Sequence, residues 1–554
     1  MSLPVFSTQA ELFSTAGLSG QLFAPTDRYR LFAQKVYPVL AQTRSQLEDA
    51  YCSDNGRVAV EPVLLLGVSL LQYLEAMPDR QAVELVRYHA GWNFALNRQV
   101  GDEVFHPTTL VNFRQRLLDH DLSTLAFQTV LEALIQAGLV ARRGRQRLDS
   151  TQMFGRVSRM SRLDCVRETL RLTLQELSEQ LPPAERPDWW SQMWERYVET
   201  QTDYRASLET FARQMAEAGA AAQQVLRWLA QAPDPKWAAG KQAQLLARVF
   251  AEQFEVLAAE AAPQPKAKEQ LGTERVQNPH DPDATYASKG KGEQRKEHVG
   301  YKVQVAETVS EAVLAPGEPT RNFISGIVTH AARESDAEGS GKMELEQQAL
   351  GMDKPPVQYV DAAYVSTQKL VEAAAQGREL IGPALASPHN NDGRFTPEQF
   401  NVMVEQRQAV CPAGHQNTQC SRLQEQATGK VSYRFEWDTS ICTACPLRQQ
   451  CIKADHPHRT LVVGEHHTTL QARRQEQQTQ PFKQRMRHRN AIEGTQSELV
   501  RAHGLRQARY RGLAKAKLQN YFIGAACNIK RWLRRLAWGL QNSLTVAVSS
   551  APAH

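Results

Sequence analysis

The chain has 554 residues, which is too long for a single hydrophobic core, so its length predicts two to four domains. An apolar content of 42% and a charged content of 22% are those of a soluble globular protein. The longest apolar run, which follows Pro62, is too short to span a bilayer, and the opening residues show no signal-peptide pattern. A cytoplasmic protein without membrane segments is expected.

The net charge of +6 is unevenly distributed along the chain. Residues 481–540 hold fourteen Lys or Arg against two acids, a local balance of +12, so the remainder carries about −6. A basic element on a mildly acidic body is typical of a polyanion-binding protein. The alternative is a basic helix paired with an acidic neighbour inside the fold.

Residues 25–140 are predicted to be helical, with apolar residues at intervals of three and four, and Pro62 suits a first helical turn after Glu61. In "HPTTLVNFRQRL", Thr108 or Thr109 is a candidate cap for a helix that carries Arg114 and Arg116 outward. This pattern is compatible with a helix-turn-helix DNA reader and equally with any small helical bundle.

The middle of the chain alternates in character. "QRLDSTQMFG" predicts a short strand, residues 157–262 are helical with tryptophans as candidate core anchors, and residues 261–270 form a linker. Strands are then predicted in "HVGYKVQVAETV", "NFISGIVTHA", "PVQYVDAAYVS" and "RELIGPAL", with the helix "TQKLVEAAAQ" between the last two. This order indicates an α/β fold with a mixed or parallel sheet. A polar insertion, long basic helices and a loose tail follow.

Five of the eight cysteines lie between Cys411 and Cys451, and this clustering in a reducing cytoplasm indicates metal ligation. A C-x2-C pair with two further cysteines suits a tetrahedral structural zinc ion. The chosen ligands are Cys411, Cys442, Cys445 and Cys451, with His415 or Cys420 as substitutes. Reduced buried thiols and an iron–sulfur cluster are the alternatives.

Three acids stand out by position: Asp149 on a short strand, Asp361 at the end of another, and Glu493 on a helix rich in arginine. Carboxylates at strand ends of an α/β sheet lie where ligands bind, and three oxygen ligands suit Mg²⁺ or Mn²⁺. Two such ions can stabilise both the attacking and the leaving oxygen of a phosphoryl transfer. Asp281, Asp283 and Asp353 are rival acids.

The motifs "LDST", "DAAY" and "RNAIEG", in this order, resemble the catalytic motifs of DDE transposases of bacterial insertion sequences. Asp149 matches the first aspartate, Asp361 the second, and Arg489 with Glu493 the Arg-x3-Glu signature. The chain departs from the fuller family signature at two positions, where Met486 replaces a tyrosine and Val500 a lysine. The neighbouring Arg501 could replace that lysine only if the helix phase tolerates a shift of one residue.

The resemblance implies a ribonuclease-H-like core and a protein that cuts the ends of a mobile element with water. It also implies that the freed 3′ hydroxyl is joined to target DNA, with two Mg²⁺ or Mn²⁺ ions at Asp149, Asp361 and Glu493. Double-stranded DNA is the expected partner, bound by a homodimer or larger assembly at the nucleoid. The expected DNA-binding residues are Arg114, Arg116, Arg485, Arg487, Arg489, Arg501, Arg506, Arg509 and Arg511.

The predicted domain map assigns a part of the fold to each segment. Its parts are a helical DNA-binding domain (1–140), the first core strand (141–156), a helical insertion with linker (157–277), the ribonuclease-H-like core (278–387), a cysteine-rich insertion (388–469), basic catalytic helices (470–540) and a tail (541–554).

Two other functions share these features. A catalytically silent DNA-binding descendant of a transposase would keep the basic surface, and a metal-dependent nuclease without strand transfer would keep the carboxylates. A nucleotide-binding enzyme is disfavoured, because the sequence holds no G-x-x-x-x-G-K-[ST] or G-x-G-x-x-G stretch.

Overall fold

The computed structural model describes residues 2–4, 14–52, 56–99, 101–200, 208–258, 261–290, 292–385, 393–426 and 429–549. Most of the opening stretch and the last five residues of the predicted tail lie outside this range. Among the described helices, none combines the length and the apolar character needed to cross a membrane.

The N-terminal part is helical, as predicted. Glu61 caps the long helix by accepting a hydrogen bond from the Val63 amide at 3.2 Å, with Pro62 in the first turn. The predicted threonine cap is wrong, because Thr108 is itself the first helical residue and bonds the His106 ring instead. The helices are α1 Thr15–Ser19, α2 Arg28–Leu31, α3 Tyr37–Ala41, α4 Arg44–Glu48, α5 Pro62–Leu74, α6 Asp79–Tyr88, α7 Ala90–Ala95, α8 Thr108–Asp119 and α9 Leu125–Gln136.

A helical insertion separates the first core strand, β1 Gln146–Phe154, from the rest of the sheet. Its own apolar cluster includes the five predicted tryptophan anchors, of which Trp190 and Trp237 are buried and the others are partly buried. The elements are α10 Arg162–Gln180, α11 Trp190–Trp194, α12 Leu208–Ala230, α13 Pro235–Ala238, α14 Lys241–Gln253, β2 Phe254–Glu255 and β3 Gln264–Pro265.

The central sheet is mixed, which confirms the predicted fold class at that level. One edge of the long strand β5 pairs antiparallel with β1, and the other edge pairs with β4 and then β6, while β7 and β8 continue the sheet parallel to β1. Its elements are β4 Thr285–Lys289, β5 Lys296–Thr308, β6 Ile324–Ala331, α15 Asp336–Ala349, β7 Val357–Tyr359, α16 Thr367–Ala375 and β8 Glu379–Ile381. The strand β4 was not predicted.

The cysteine-bearing insertion forms two small sheets around its own apolar cluster, which includes Phe400, Phe435 and Trp437. Its elements are β9 Asn401–Met403, β10 Gln408–Val410, β11 Gln419–Gln424, β12 Val431–Glu436, α17 Thr439–Thr443, α18 Arg448–Cys451 and β13 Thr460–Gly464.

The C-terminal helices are α19 His467–Glu476, α20 Gln480–Asn490, α21 Ile492–His503 and α22 Leu513–Ser549. The predicted tail from residue 541 is wrong up to Ser549, because α22 continues to that residue.

The helix α22 joins the N-terminal helices to the sheet. Phe522 stacks on Tyr73 of α5 with ring centroids 5.5 Å apart, and both side chains belong to one apolar cluster with sheet residues such as Val303. Asn528 is fully buried and pairs with both backbone groups of Ile324, which it bonds at 2.8 and 2.9 Å. The N-terminal helices and the sheet therefore share one core through α22.

Candidate active site

The sheet register brings the two predicted aspartates side by side. Arg147 of β1 pairs with Tyr359 of the parallel strand β7. Asp149 and Asp361 each lie two residues further along, so both stand at the same edge of the sheet. Asp361 accepts a hydrogen bond from the Ala363 amide at 2.8 Å and so caps the turn that leaves β7.

The break between α20 and α21 supplies the third carboxylate. Ala491 separates the two helices, which leaves Arg489 at the end of α20 and Glu493 in the first turn of α21. Phe482 anchors α20 in an apolar cluster with Tyr359 and Ile381. This packing, together with the contact between the Tyr359 and His488 rings, holds the end of α20 near β1 and β7.

Arg489 links all three acids. Its Nη2 lies 3.0 Å from an Asp149 oxygen and 4.0 Å from an Asp361 oxygen, and its Nη1 lies 3.2 Å from a Glu493 oxygen. The Asp149 side chain is only 10% exposed, whereas that of Glu493 is 70% exposed. The three carboxylates thus form an anionic site that is buried at Asp149 and exposed at Glu493, and the guanidinium of Arg489 lies among them.

The environment of Asp149 favours a bound cation. Burial raises the pKa of this carboxyl, Arg489 and the Ser150 amide oppose the rise, and the nearby Asp361 and Asp336 add to it. Burial and the neighbouring acids both disfavour the ionised form of Asp149, so a positive charge bound between the acids would stabilise that form. The donor set of three carboxylates therefore fits Mg²⁺ or Mn²⁺, the hard cations that prefer oxygen ligands.

A buried ionic network supports this site from behind. Glu307 of β5 is fully buried; it accepts from Arg147 Nε at 2.6 Å, from Thr495 Oγ1 at 2.7 Å and from Arg531 Nη1 at 2.5 Å. Arg147 also donates to the His488 carbonyl at 3.0 Å. Glu307 thereby connects the strand of Asp149, the helix of Glu493 and α22.

Sequence analysis did not identify this network. One signal was present, since Arg147, Glu307 and Arg531 are charged residues within apolar strand or helix patterns. Charged residues at such positions are almost always paired.

The predicted DNA-binding arginines fall into two groups. Arg487, Arg501, Arg506 and Arg511 are exposed, and of these Arg506 also donates to the Gln152 carbonyl. The others have intramolecular contacts: Arg116 lies over the Tyr51 ring, Arg485 pairs with Glu379, Arg489 bonds the carboxylates, and Arg509 bonds the Met77 carbonyl. Their role toward DNA stays a prediction.

The outward orientation expected for Arg114 is wrong. Its side chain is buried, both terminal nitrogens bond the Asp79 carboxylate at 3.1 and 2.5 Å, and its guanidinium lies over the Tyr510 ring. A guanidinium paired and stacked in this way gives up its hydration in exchange for a bidentate contact. Arg114 therefore ties α8 to α6.

The two departures from the family signature have a packing explanation. Met486 packs against the apolar cluster of Phe482, and Val500 packs against the main core. The adjacent Arg501 is exposed.

The four chosen cysteines lie together in the insertion. Cys442 and Cys451 are buried, Cys411 and Cys445 are partly buried, and all are free thiols. Burial, with a smaller contribution from the other three thiols, raises the pKa of Cys451 to about 11. No three of these sulfur atoms lie within 4.8 Å of one another in the part of the chain that the structure describes.

The ligand atoms of Glu498, His503 and Cys527 do lie within 4.8 Å of one another. However, Lys530 and Arg531 bond Glu498 at 3.1 and 2.9 Å. Burial raises the pKa of Glu498, but these two cations outweigh burial and hold it at about 2. A dication at this position would face both cations, so the cluster is best explained as part of the buried ionic network.

Comparison with known families gives two matches. Residues 410–533 match a transposase DDE domain, and residues 19–116 match a transposase domain known as DUF772. The first match includes Glu493 and the four chosen cysteines, but it begins after Asp149 and Asp361 and so does not include them. No curated protein and no solved structure shows significant similarity to the chain.

The network predicts a large difference between two glutamates of β5. Glu307→Gln should lower the free energy of unfolding by about 3 kcal/mol, because it removes the buried counter-charge of two arginines. The control is Glu297→Gln, at an exposed ion pair of the same strand, which should cost less than about 1 kcal/mol. Guanidinium denaturation of both variants measures the difference, and equal shifts would contradict this role of Glu307.

Proposed function

From the two family matches, which support a DDE-type insertion-sequence transposase, we propose that the protein cuts the ends of its element and joins the freed strands to target DNA. The mixed sheet would be a ribonuclease-H-like core, and the N-terminal helices would contribute to DNA binding. The observation that carries this proposal is the meeting of Asp149, Asp361 and Glu493 around one cationic group.

The reaction needs two successive phosphoryl transfers. In the first, water attacks the phosphorus at the element end, the P–O3′ bond breaks, and a free 3′ hydroxyl results. In the second, this hydroxyl attacks a target phosphodiester and displaces the 3′ oxygen on the other side of the phosphorus. One strand end is thereby exchanged for another, with no oxidant or external energy source required.

The carboxylates would hold the metal ions. Bound Mg²⁺ or Mn²⁺ supplies charge stabilisation to the attacking and leaving oxygens. Asp149 is held in place by the pairing of β1 with β5, whereas Glu493 is exposed and would be free to approach a metal ion. Arg489 would keep the three acids together until the ions and the phosphate arrive, and would then contact phosphate oxygens.

Placement of the substrate is the other contribution of the protein. The exposed arginines Arg487, Arg501, Arg506 and Arg511 would contact phosphates, which provides affinity and salt dependence but no sequence choice. Because an element has two ends, we propose that two or more copies act together in the DNA complex, which would bring the protein to the nucleoid.

The carboxylate assignment predicts a separation of chemistry from binding. Asp149→Asn, Asp361→Asn and Glu493→Gln should each slow Mg²⁺-dependent cleavage by about a thousandfold or more, because the charge stabilisation is worth several kcal/mol. Binding of end DNA without divalent ions should be retained. A gel assay of strand nicking and joining measures the chemistry, and fluorescence anisotropy measures the binding.

The control is Asp353→Asn, at an exposed aspartate away from the site, which should behave like the unchanged protein. Full activity of any of the three carboxylate variants would refute the ligand assignment. Cleavage without joining would favour a nuclease, and binding without cleavage would favour a silent DNA-binding descendant.

We also propose that Cys411, Cys442, Cys445 and Cys451 bind one structural zinc ion. Cys442 and Cys451 lie in the apolar cluster of the insertion, and Cys411 packs against it. Cys411, Cys442 and Cys445 each help to raise the pKa of Cys451, and this proximity of the four thiols supports the choice. Zinc requires thiolates, so metal binding would lower the thiol pKa values and draw the sulfur atoms into a tetrahedral shell.

The zinc proposal predicts a loss of metal and of stability. Cys442→Ser with Cys445→Ser should release about one zinc ion per chain and lower the melting temperature, since the binding free energy contributes to folding. Cys52→Ser, at an exposed and isolated cysteine, should change neither quantity. Elemental analysis of freshly purified protein provides the test, and absence of zinc would remove the proposal.

A further inference from the structure

A cleft of about 850 Å³ opens beside the carboxylates. Ser150, Thr151 and Gln152 of β1 line it on one side, and the opposite walls come from β4, the segment 273–277 and the turn between β6 and α15. Gln496 of α21 also lines it and donates to the Ser150 carbonyl at 3.1 Å. The strand that carries Asp149 and the helix that carries Glu493 therefore both contribute to the cleft.

The lining of the cleft is strongly basic. It contains five cationic side chains against a single acid, Asp336; the five are Arg275, Lys289, Lys302, Arg333 and Arg506. An excess of positive charge in a concave site strengthens the local electrostatic potential, so the cleft attracts anionic ligands.

Two of the five cations are already neutralised. Lys302 lies 3.4 Å from the Asp336 carboxylate, and Arg333 pairs with Glu274. Arg275 donates to the Gly272 carbonyl at 3.3 Å, and Arg506 donates to the Gln152 carbonyl at 3.2 Å. Among the described residues, neither of these two arginines nor Lys289 forms an ion pair with a carboxylate. Three cations thus remain available to an anion.

We propose that this cleft binds the phosphates of the DNA strand that flanks the scissile phosphate. The inference rests on the proposed function, because it assumes that a DNA phosphate is held at Asp149, Asp361 and Glu493. Ser150, which lines the cleft, follows Asp149 directly in β1, so a DNA strand bound at the carboxylates would lie next to the cleft.

The chemistry of the lining matches a nucleic acid backbone. Hydroxyl and amide side chains line the cleft together with the cations, among them Ser150, Thr151, Gln152 and Ser288. These groups are the usual neutral partners of phosphate oxygens. The cations come from separate elements of the chain, which suits several phosphates better than the compact group of a mononucleotide.

The test is the salt dependence of binding to end DNA, measured by fluorescence anisotropy with the full chain and without divalent ions. The variant Arg275→Ala with Lys289→Ala should weaken binding roughly tenfold, and the slope of log Kd against log salt should fall by about 1.8, or 0.9 per lost phosphate contact. The matched control is Arg213→Ala with Lys236→Ala, at basic residues of the helical insertion, and it should keep the slope of the unchanged protein.

Position is tested with DNA in which the phosphates next to the scissile position are replaced by neutral methylphosphonates. This replacement should weaken binding by the unchanged protein and have no further effect on the cleft variant. Lys289→Glu, at an exposed end of β4, should reproduce the loss without touching the partly buried Arg275.

The outcomes separate the two proposals. If the cleft variants bind and respond to methylphosphonates like the unchanged protein while that protein cuts DNA, the cleft inference is refuted and the transposase proposal stands. If the unchanged protein neither binds nor cuts end DNA, the proposed function itself fails.

Discussion

The arrangement of the candidate site depends on one buried carboxylate, that of Glu307. A fully buried charge is tolerated only when it is paired and hydrogen-bonded, and Glu307 satisfies this condition by binding Arg147, Arg531 and Thr495 at once. Because these partners come from β1, α22 and α21, the requirement to neutralise one charge fixes three elements relative to each other. The aspartate strand and the glutamate helix are thereby tied to the same buried group.

Next to this buried network, attraction between Arg489 and the three carboxylates holds the candidate site together. The three carboxylates, two at one edge of the sheet and one on α21, would repel each other, and Arg489 offsets that repulsion from the end of α20. The contact to Glu493 is exposed and weak, whereas the contact to Asp149 is largely buried. The site can therefore open at Glu493 while Asp149 stays fixed, a useful property for a centre that must admit metal ions and a DNA strand.

Much of this architecture was predictable from local sequence patterns. Alternating residues in "HVGYKVQVAETV" indicated β5, and the motifs around Asp149, Asp361 and Glu493 predicted acids that the fold does bring together. Other features depend on long-range pairing. The burial of Arg114 against Asp79 and Tyr510, the role of Glu307 and the cationic cleft each join residues far apart in sequence. The sequence around an arginine on a short amphipathic helix does not indicate whether that side chain will be buried in an ion pair with a distant carboxylate.

The most direct test is a crystal structure of the full chain with end DNA and Mn²⁺, in which anomalous scattering locates the ions. We expect Mn²⁺ at about 2.1 Å from oxygens of Asp149, Asp361 and Glu493, with the Arg489 guanidinium displaced from between them. Ions bound elsewhere in a complex that still cuts DNA, with Arg489 unmoved among the three carboxylates, would contradict the account.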